Sequence, residues 1–593
     1  MSQQTHCSMR WSLNDLIPEA SGPQMEAVFD GLEDAIGRLE GHRESLAPSI
    51  SKHDFAEILS LVERVGHFTR RLNGYATLWL AEDSSDQVAL AFRGRVDKAV
   101  AEARNRSLFI ELWWKSLDDG NVARLLECSG DVRYHLETLR RFAPFTLSEP
   151  EEKVINTKDV YGVRGLETLY DMITNGLTYE MEIDGEVRTV TRTELMVYVR
   201  DPLPERRAAA YRALYKVFGE QGGVLGQIYK YLVGDWNAEN VGLREMASAI
   251  SVRNLRNDLG DEVVDVLLSC CRKNAALYQR YFRLKAKWLE LERLRRYDVY
   301  APVSNAERTV PFEEGVSIVF ESLRGFCEPI AELAERVLSE NHLDAEVRPG
   351  KDTGAFCFGV VPEKTPWVLV NYNGRSDDVS TLAHELGHAV HAMLAFDHSV
   401  LTFRSSLPLA ETASNFAEIL LLKSQLNAEE DPAVRRHLLA KFVDDSYASI
   451  LRQAYFVLFE RDAHRLIVDE GATVDRLCEH YLENLKDQFG DSVEVSDEFR
   501  WEWASVPHIY QVPFYCYAYS FGLLLVLALY REYEREGEPF VSKYVRMLSH
   551  GGSLSPMEVL DEAGVDVRDE AFWQGGFDVI AEMIDELEQS ETT

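Results

Sequence analysis

The residues best equipped to do chemistry in this sequence lie in TLAHELGHAVHAML, residues 381–394, where His384 and His388 stand four apart around Glu385. On an α-helix, residues four apart share a face one turn on, so both imidazoles can reach a single cation. Glu385 is rotated by about 100° from His384, near enough to take a proton from a water at that cation without ligating it. Two ligands and one general base are the mechanical content of H-E-x-x-H, and they point to zinc-assisted hydrolysis. The bland alternative is a helix merely rich in histidine. Leu382, Leu386, Ala389, Val390 and Met393 argue against it, because they surround the motif with apolar side chains. Two imidazoles and a carboxylate enclosed there need a compensating charge.

A catalytic zinc site takes a third protein ligand and keeps one position open. His391 lies about 10.5 Å along the axis from His384, too far to join His384 and His388 on one ion. It is expected to contact substrate or to back the ligands. The metzincin pattern needs glycine and histidine where His391 and Leu394 stand, so that arrangement is excluded. The acidic residues that follow are Asp397 and Glu411. Glu411 opens the amphipathic stretch AETASNFAEILLLKSQL, 23 residues after His388. It is preferred to Asp397, since a separate helix crossing the first can present a carboxylate from the open side. Asn415 and Glu418, one and two turns on, are expected behind the ligating histidines.

Most of the chain that must position these groups reads as helix. MEAVFDGLEDAIGRLEGH, FAEILSLVERVGHFTRRLNGY and QVALAFRGRVDKAVAEARNRSLFIELWWKSL repeat apolar residues every three or four positions. Ser148, with Pro150 and Glu151 after it, signals a helix start. Strand character appears in two places. In LTYEMEIDGEVRTVTR an Asp184-Gly185 turn with a three-residue loop would pair Glu182 with Arg188 and Ile183 with Val187. In TGAFCFGVVPEKTPWVLVNYN, residues 353–373, two short strands flank a Pro-Glu-Lys-Thr-Pro turn. RDPLPERRAAAYRALYKVF, from Arg200, carries two prolines before a new helix, which divides the chain into residues 1–200 and a catalytic region, 201–593.

Bulk composition narrows the function classes. The chain has 593 residues, 46% hydrophobic and 27% charged, as in ordinary globular proteins. A formal net charge of −35 argues against nucleic acid and anionic membrane as partners, and reads as solubility. Eight scattered cysteines without a CxxC pair read as free thiols in a reducing compartment; the adjacent Cys270 and Cys271 end an apolar helical run. No apolar core of signal-peptide length opens the chain. Phe514 to Tyr530 is uncharged over 17 residues, short for a membrane span, and is expected inside the protein. A cytoplasmic location is expected.

Beyond the single motif, the chain resembles the oligoendopeptidase F family, a branch of the thimet-oligopeptidase-type zinc metallopeptidases (gluzincins). GAFCFG, LAHELGHAVH, LAETASNFAE and PHIYQVPFYCYAYSFG occur in the family's order, and WSLNDLIPEA and YEMEIDGEVRTVTRTEL also match, so the likeness spans nearly the whole chain. The resemblance implies a mostly α-helical fold with two lobes around a deep substrate channel, a small β-sheet near the active site and a β-hairpin in the N-terminal half. It implies one Zn2+ per chain on His384, His388 and Glu411, and hydrolysis of internal bonds in short unstructured peptides. His508, Tyr510, Tyr515 and Tyr517 match the positions that serve the oxyanion and substrate. His508 and Tyr515 are favoured as oxyanion donors, then Tyr517, with Tyr510 as a substrate contact. Gly354 and Ala355 would let an extended peptide approach the GAFCFG strand closely. The alternatives are a catalytically silent peptide-binding protein and a zinc hydrolase of a non-peptide amide.

Overall fold

The computed structural model describes residues 9–183, 185–303 and 309–590. Helices dominate, and the chain separates into two compact units, each assembled from three segments. The first comprises Met1–Pro144, Glu307–Asn427 and Glu532–Val565; the second comprises Phe145–Ala306, Ala428–Arg531 and Asp566–Thr593. Residue 200 therefore lies within the second unit, between the helices Arg192–Tyr198 and Pro204–Trp236.

In the first unit the long helices Pro23–Gly41, Lys52–Glu82 and Gln87–Ser116 pack on one another. Ser51 starts the second by accepting the Asp54 N–H at 3.0 Å, and Asp86 starts the third by accepting the Val88 N–H at 2.8 Å. Each bond satisfies an amide that has no partner inside its own helix. Leu72, Tyr75, Ala76 and Leu78 share a buried core with Val360, Trp367 and Leu369, so these helices support a small sheet. Its order is Leu343–Asp344, Trp367–Leu369, Phe356–Phe358, with the first pair parallel and the second antiparallel. Phe356–Phe358 is thus an edge strand. Trp367, on the central strand opposite Phe358, is pinned by donating to the Ser12 carbonyl at 2.9 Å and stacking on His342.

The second unit carries its charges inside. The Arg207–Asp298 pair is wholly buried at 2.8 Å; Glu502 takes Arg296 at 2.6 Å and Arg452 at 3.0 Å. Lys285, also buried, meets Asp444 at 2.6 Å. The apolar run from Phe514 begins the buried helix Tyr517–Glu536, and no described helix is long and apolar enough to cross a membrane. Cys270 and Cys271 are buried in the helix Asp261–Lys273 as free thiols.

Several local expectations meet the structure directly. Ser148 and Glu151 form a reciprocal capping box on the helix Glu149–Tyr161. The hairpin exists, Tyr179–Ile183 with Glu186–Val190, but its register is one residue tighter than the sequence suggests. Ile183 pairs with Glu186 and Glu182 with Val187, so two residues form the loop instead of three. Gly185, at φ +82°, adopts the left-handed conformation that a tight turn requires; Asp184 lies outside the described residues. Strands also occur beyond the two expected places, since Leu294–Arg295 pairs with Val493–Glu494 and Leu343–Asp344 joins the small sheet. At two residues each they are too short to show a period of two.

Candidate active site

The histidine motif lies on the helix Ser376–Leu394. Its start is fixed by Asp378, whose carboxylate accepts the N–H groups of Arg375 at 3.0 Å and Asn373 at 2.6 Å. Val379, Leu382, Leu386, Ala389, Val390 and Met393 are all buried, and each large apolar side chain contributes about 1.5–3 kcal/mol. That apolar stripe orients the remaining face, with His384, Glu385, His388 and His391, into a cavity of about 480 Å³. Ala355 and the edge strand Phe356–Phe358 form another part of its wall; Gly354 is exposed and lies outside the lining.

Glu411 reaches the same cavity from the join between the short helix Leu407–Ala410 and the helix Thr412–Ala428. Its Oε2 lies 3.4 Å from His384 Nε2 and 3.3 Å from His388 Nε2. One donor atom from each of the three residues falls within 4.8 Å of the others. Such proximity requires the two helices to come very close, and Gly387 permits it. A Cβ there would sit 2.6 Å from the Ala413 carbonyl oxygen and 2.7 Å from Ser414 Cα. The glycine of H-E-L-G-H, which carries no chemistry, therefore carries the geometry.

Behind the donors, His384 Nδ1 faces Glu418 Oε1 at 2.5 Å, which leaves Nε2 directed at Glu411. Glu411 is held in turn by Ser414, whose hydroxyl donates to Oε2 at 2.8 Å. Sequence reasoning overlooked Ser414 and expected Asn415 here; Asn415 meets Glu411 only through its backbone N–H, at 3.1 Å. Burial disfavours charge on His384, but its hydrogen bonds to Glu411 and Glu418 prevail and push it up to about 10. Glu411 moves the opposite way: burial raises it, and the two histidines hold it far below the usual carboxylate range. Burial raises Glu385, only partly countered by the histidines. His391, buried in the wall, is brought down to about 4, chiefly by burial and then by the charge of His388. It stays a neutral imidazole, separate from the group of three.

Two imidazoles thus stand among three carboxylates, Glu385, Glu411 and Glu418. The donor set of two nitrogens and one oxygen, with a base adjacent and a cavity in front, fits a divalent zinc ion in chemistry and in charge.

The C-terminal cluster belongs to the second unit. His508 and Tyr515 are half-buried, their rings stacked with centroids 5.6 Å apart, and the exposed Tyr519 lies edge-on to both. Burial lowers His508, which favours its neutral form. Tyr510 and Tyr517 are sealed from solvent. Tyr510 stacks on Tyr170 at 3.9 Å with its hydroxyl toward the Leu225 carbonyl, and Tyr517 accepts a hydrogen bond from Asn257 at 2.8 Å. In this conformation both rings pack the core, because alternate residues of the Tyr515-Tyr517-Tyr519 stripe do not share one environment.

Comparison with known proteins agrees with this architecture. The model for peptidase family M3 matches residues 197–579, and that for oligopeptidase F matches residues 113–179. The chain is 26% identical to oligopeptidase PepF of Bacillus subtilis (strain 168), over 98% of its own length and 87% of that protein's. It is 28% identical to the chromosomal oligoendopeptidase F of Lactococcus lactis subsp. cremoris, over 65% and 64%. A solved chain from Chlamydophila abortus shares the fold at TM-score 0.88 and 22% identity, covering 98% of each. Oligoendopeptidase-F from Enterococcus faecium aligns at TM-score 0.70 and 21% identity, covering 96% of this chain and 98% of that one. With nearly two thirds of its length matched by one family model, the chain belongs to peptidase family M3, within the oligoendopeptidase F group.

Proposed function

We propose that the protein is a zinc-dependent cytoplasmic endopeptidase that hydrolyses internal bonds of short, unstructured peptides. The observation that carries this reading is the convergence of His384, His388 and Glu411 beside the buried Glu385 on one cavity wall. His384, His388 and Glu411 would hold the ion, with Glu418 and Ser414 fixing their orientation. When bound, zinc supplies Lewis acidity, polarising a carbonyl and lowering the pKa of water.

Glu385 accepts the proton of the attacking water and then delivers it to the departing amine. Its burial supports this role, because desolvation raises the carboxyl above its ordinary range and so makes it a stronger base toward water. The edge strand Phe356–Phe358 aligns an extended peptide by strand addition, with Ala355 at its entrance and His391 as a neutral contact. His508 and Tyr515 are the proposed oxyanion donors, supported by their accessibility and mutual stacking; the burial of Tyr517 and Tyr510 favours packing roles for those two. These residues all fall in the proposed catalytic region, 201–593.

The test is Glu385→Gln. Cleavage of a quenched fluorescent peptide is expected to fall by at least about 10³-fold, with zinc content by mass spectrometry unchanged. Full activity in that variant would refute the assignment.

A further inference from the structure

Among the described residues that line the active-site cavity, Arg404 is the sole lysine or arginine. Its Nη2 donates to the Gly359 carbonyl at 2.7 Å, which anchors it just past the edge strand. The guanidinium lies 5.3 Å from the Phe358 ring centroid and 5.8 Å from that of Phe403. A second cation, Arg70, lies 5.3 Å from the same Phe403 ring. Among the described residues no carboxylate pairs with either arginine. This is unusual in a chain whose acidic residues outnumber its basic ones 98 to 63, where most arginines find an acidic partner.

Arg404 is exposed toward the cavity, and desolvation lowers its pKa; burial and the charge of Arg404 bring Arg70 down to about 10. Arg404 has further N–H donors in its planar fork beyond the one given to Gly359, and such a fork matches a carboxylate. A peptide anion elsewhere in this cavity would meet Glu385 or Glu411. At Arg404 it meets the missing partner.

We propose that Arg404 is a specificity-determining residue that binds a carboxylate of the peptide substrate, foremost its free C-terminus, and so sets the register of the chain against Glu385. The inference rests on the peptidase reading above. A carboxylate here also relieves the repulsion between Arg404 and Arg70. An anchor at a fixed place in the cavity would favour short peptides, whose termini lie within a few residues of the cleaved bond.

The test uses the zinc-loaded full chain and three peptides of one sequence: free C-terminal acid, C-terminal amide, and amide with glutamate as the last residue. For the wild type, kcat/KM for the acid is expected to exceed that for the amide by roughly tenfold to a hundredfold, mostly through KM. Recovery by the glutamate amide would assign the same arginine to an acidic side chain; no recovery assigns it to the C-terminus. In Arg404→Gln the ratio of carboxylate to amide peptide is expected to fall to near one, and Arg404→Lys to keep part of it. A wild-type ratio near one for both carboxylate peptides overturns the proposal. So does a ratio unchanged in Arg404→Gln, since an arginine that merely anchored Gly359 would affect all three peptides equally. If no peptide is cleaved at all, the peptidase reading fails instead.

Discussion

At the scale of single residues, the site is a chain of hydrogen bonds that leaves three lone pairs aimed at one point. Glu418 holds His384 and Ser414 holds Glu411. Ser414→Ala removes the bond to Glu411 Oε2 without adding bulk. Zinc affinity is expected to fall about 10–100-fold, measured by competition with a chromophoric chelator, with little change in Tm. That His384, His388 and Glu411 come together beside Glu385 was legible in part from their types and from the four-residue spacing of the histidines. Ser414 was not. Its role depends on the backbone turn at Glu411, where one short helix ends and the next begins, and periodicity cannot locate such a join within one residue. Tyr510 and Tyr517 were hard to assign for a related reason: a tyrosine stripe in sequence says nothing of which hydroxyl already has a partner.

At the scale of elements, the centre depends on two helices in near backbone contact at Gly387. Gly387→Ala places a methyl group against the backbone of Ala413 and Ser414, which no side-chain rotation relieves. A loss of about 1–3 kcal/mol is expected, read by denaturant unfolding, together with reduced zinc content. A second knot fixes the turn between the motif helix and Arg404. His398 donates from Nδ1 to Asp131 at 2.6 Å and from Nε2 to the Ser549 carbonyl at 2.8 Å, so both ring nitrogens carry protons. Asp131 also accepts from the Ser399 N–H and the Thr402 hydroxyl. Its hydrogen bond to Asp131 raises His398 above the ordinary histidine value, against burial. A raised histidine stabilises the fold fully below about pH 6.5, and that stabilisation is lost as pH rises through its folded pKa. Burial opposes ionisation of Asp131, yet its donors bring it down to about 2, so its contribution is lost only as pH falls toward that value. Tm is therefore expected to decline as pH rises above about 6.5, and His398→Ala to flatten that decline; an unchanged slope would exclude the pair as its source. Helices and the Ser148 start were readable from local pattern, whereas the hairpin register turned on a single left-handed glycine.

At the scale of the whole molecule, each unit is woven from three distant segments. Division near residue 200 follows the prolines of RDPLPERR, a local signal; which segments share a core is set by long-range packing, which composition does not encode. The second unit depends on buried ion pairs that helical periodicity cannot foretell, because Lys285 and Asp444 are 159 positions apart in sequence. Lys285→Met leaves the part-buried Asp444 carboxylate without its cation, held by the Tyr281 hydroxyl, and is expected to cost about 3 kcal/mol in denaturant unfolding. A loss below about 1 kcal/mol would mean that the pair is not integral to the unit. The most direct measurement for the protein as a whole is zinc stoichiometry, by mass spectrometry of the native chain, in wild type and in Glu411→Ala. One zinc per wild-type chain, with zinc and peptide cleavage both lost in the variant, is the expected result. A wild-type chain that is fully active without zinc, or a Glu411→Ala chain that keeps its full complement, would contradict a centre built by these three side chains.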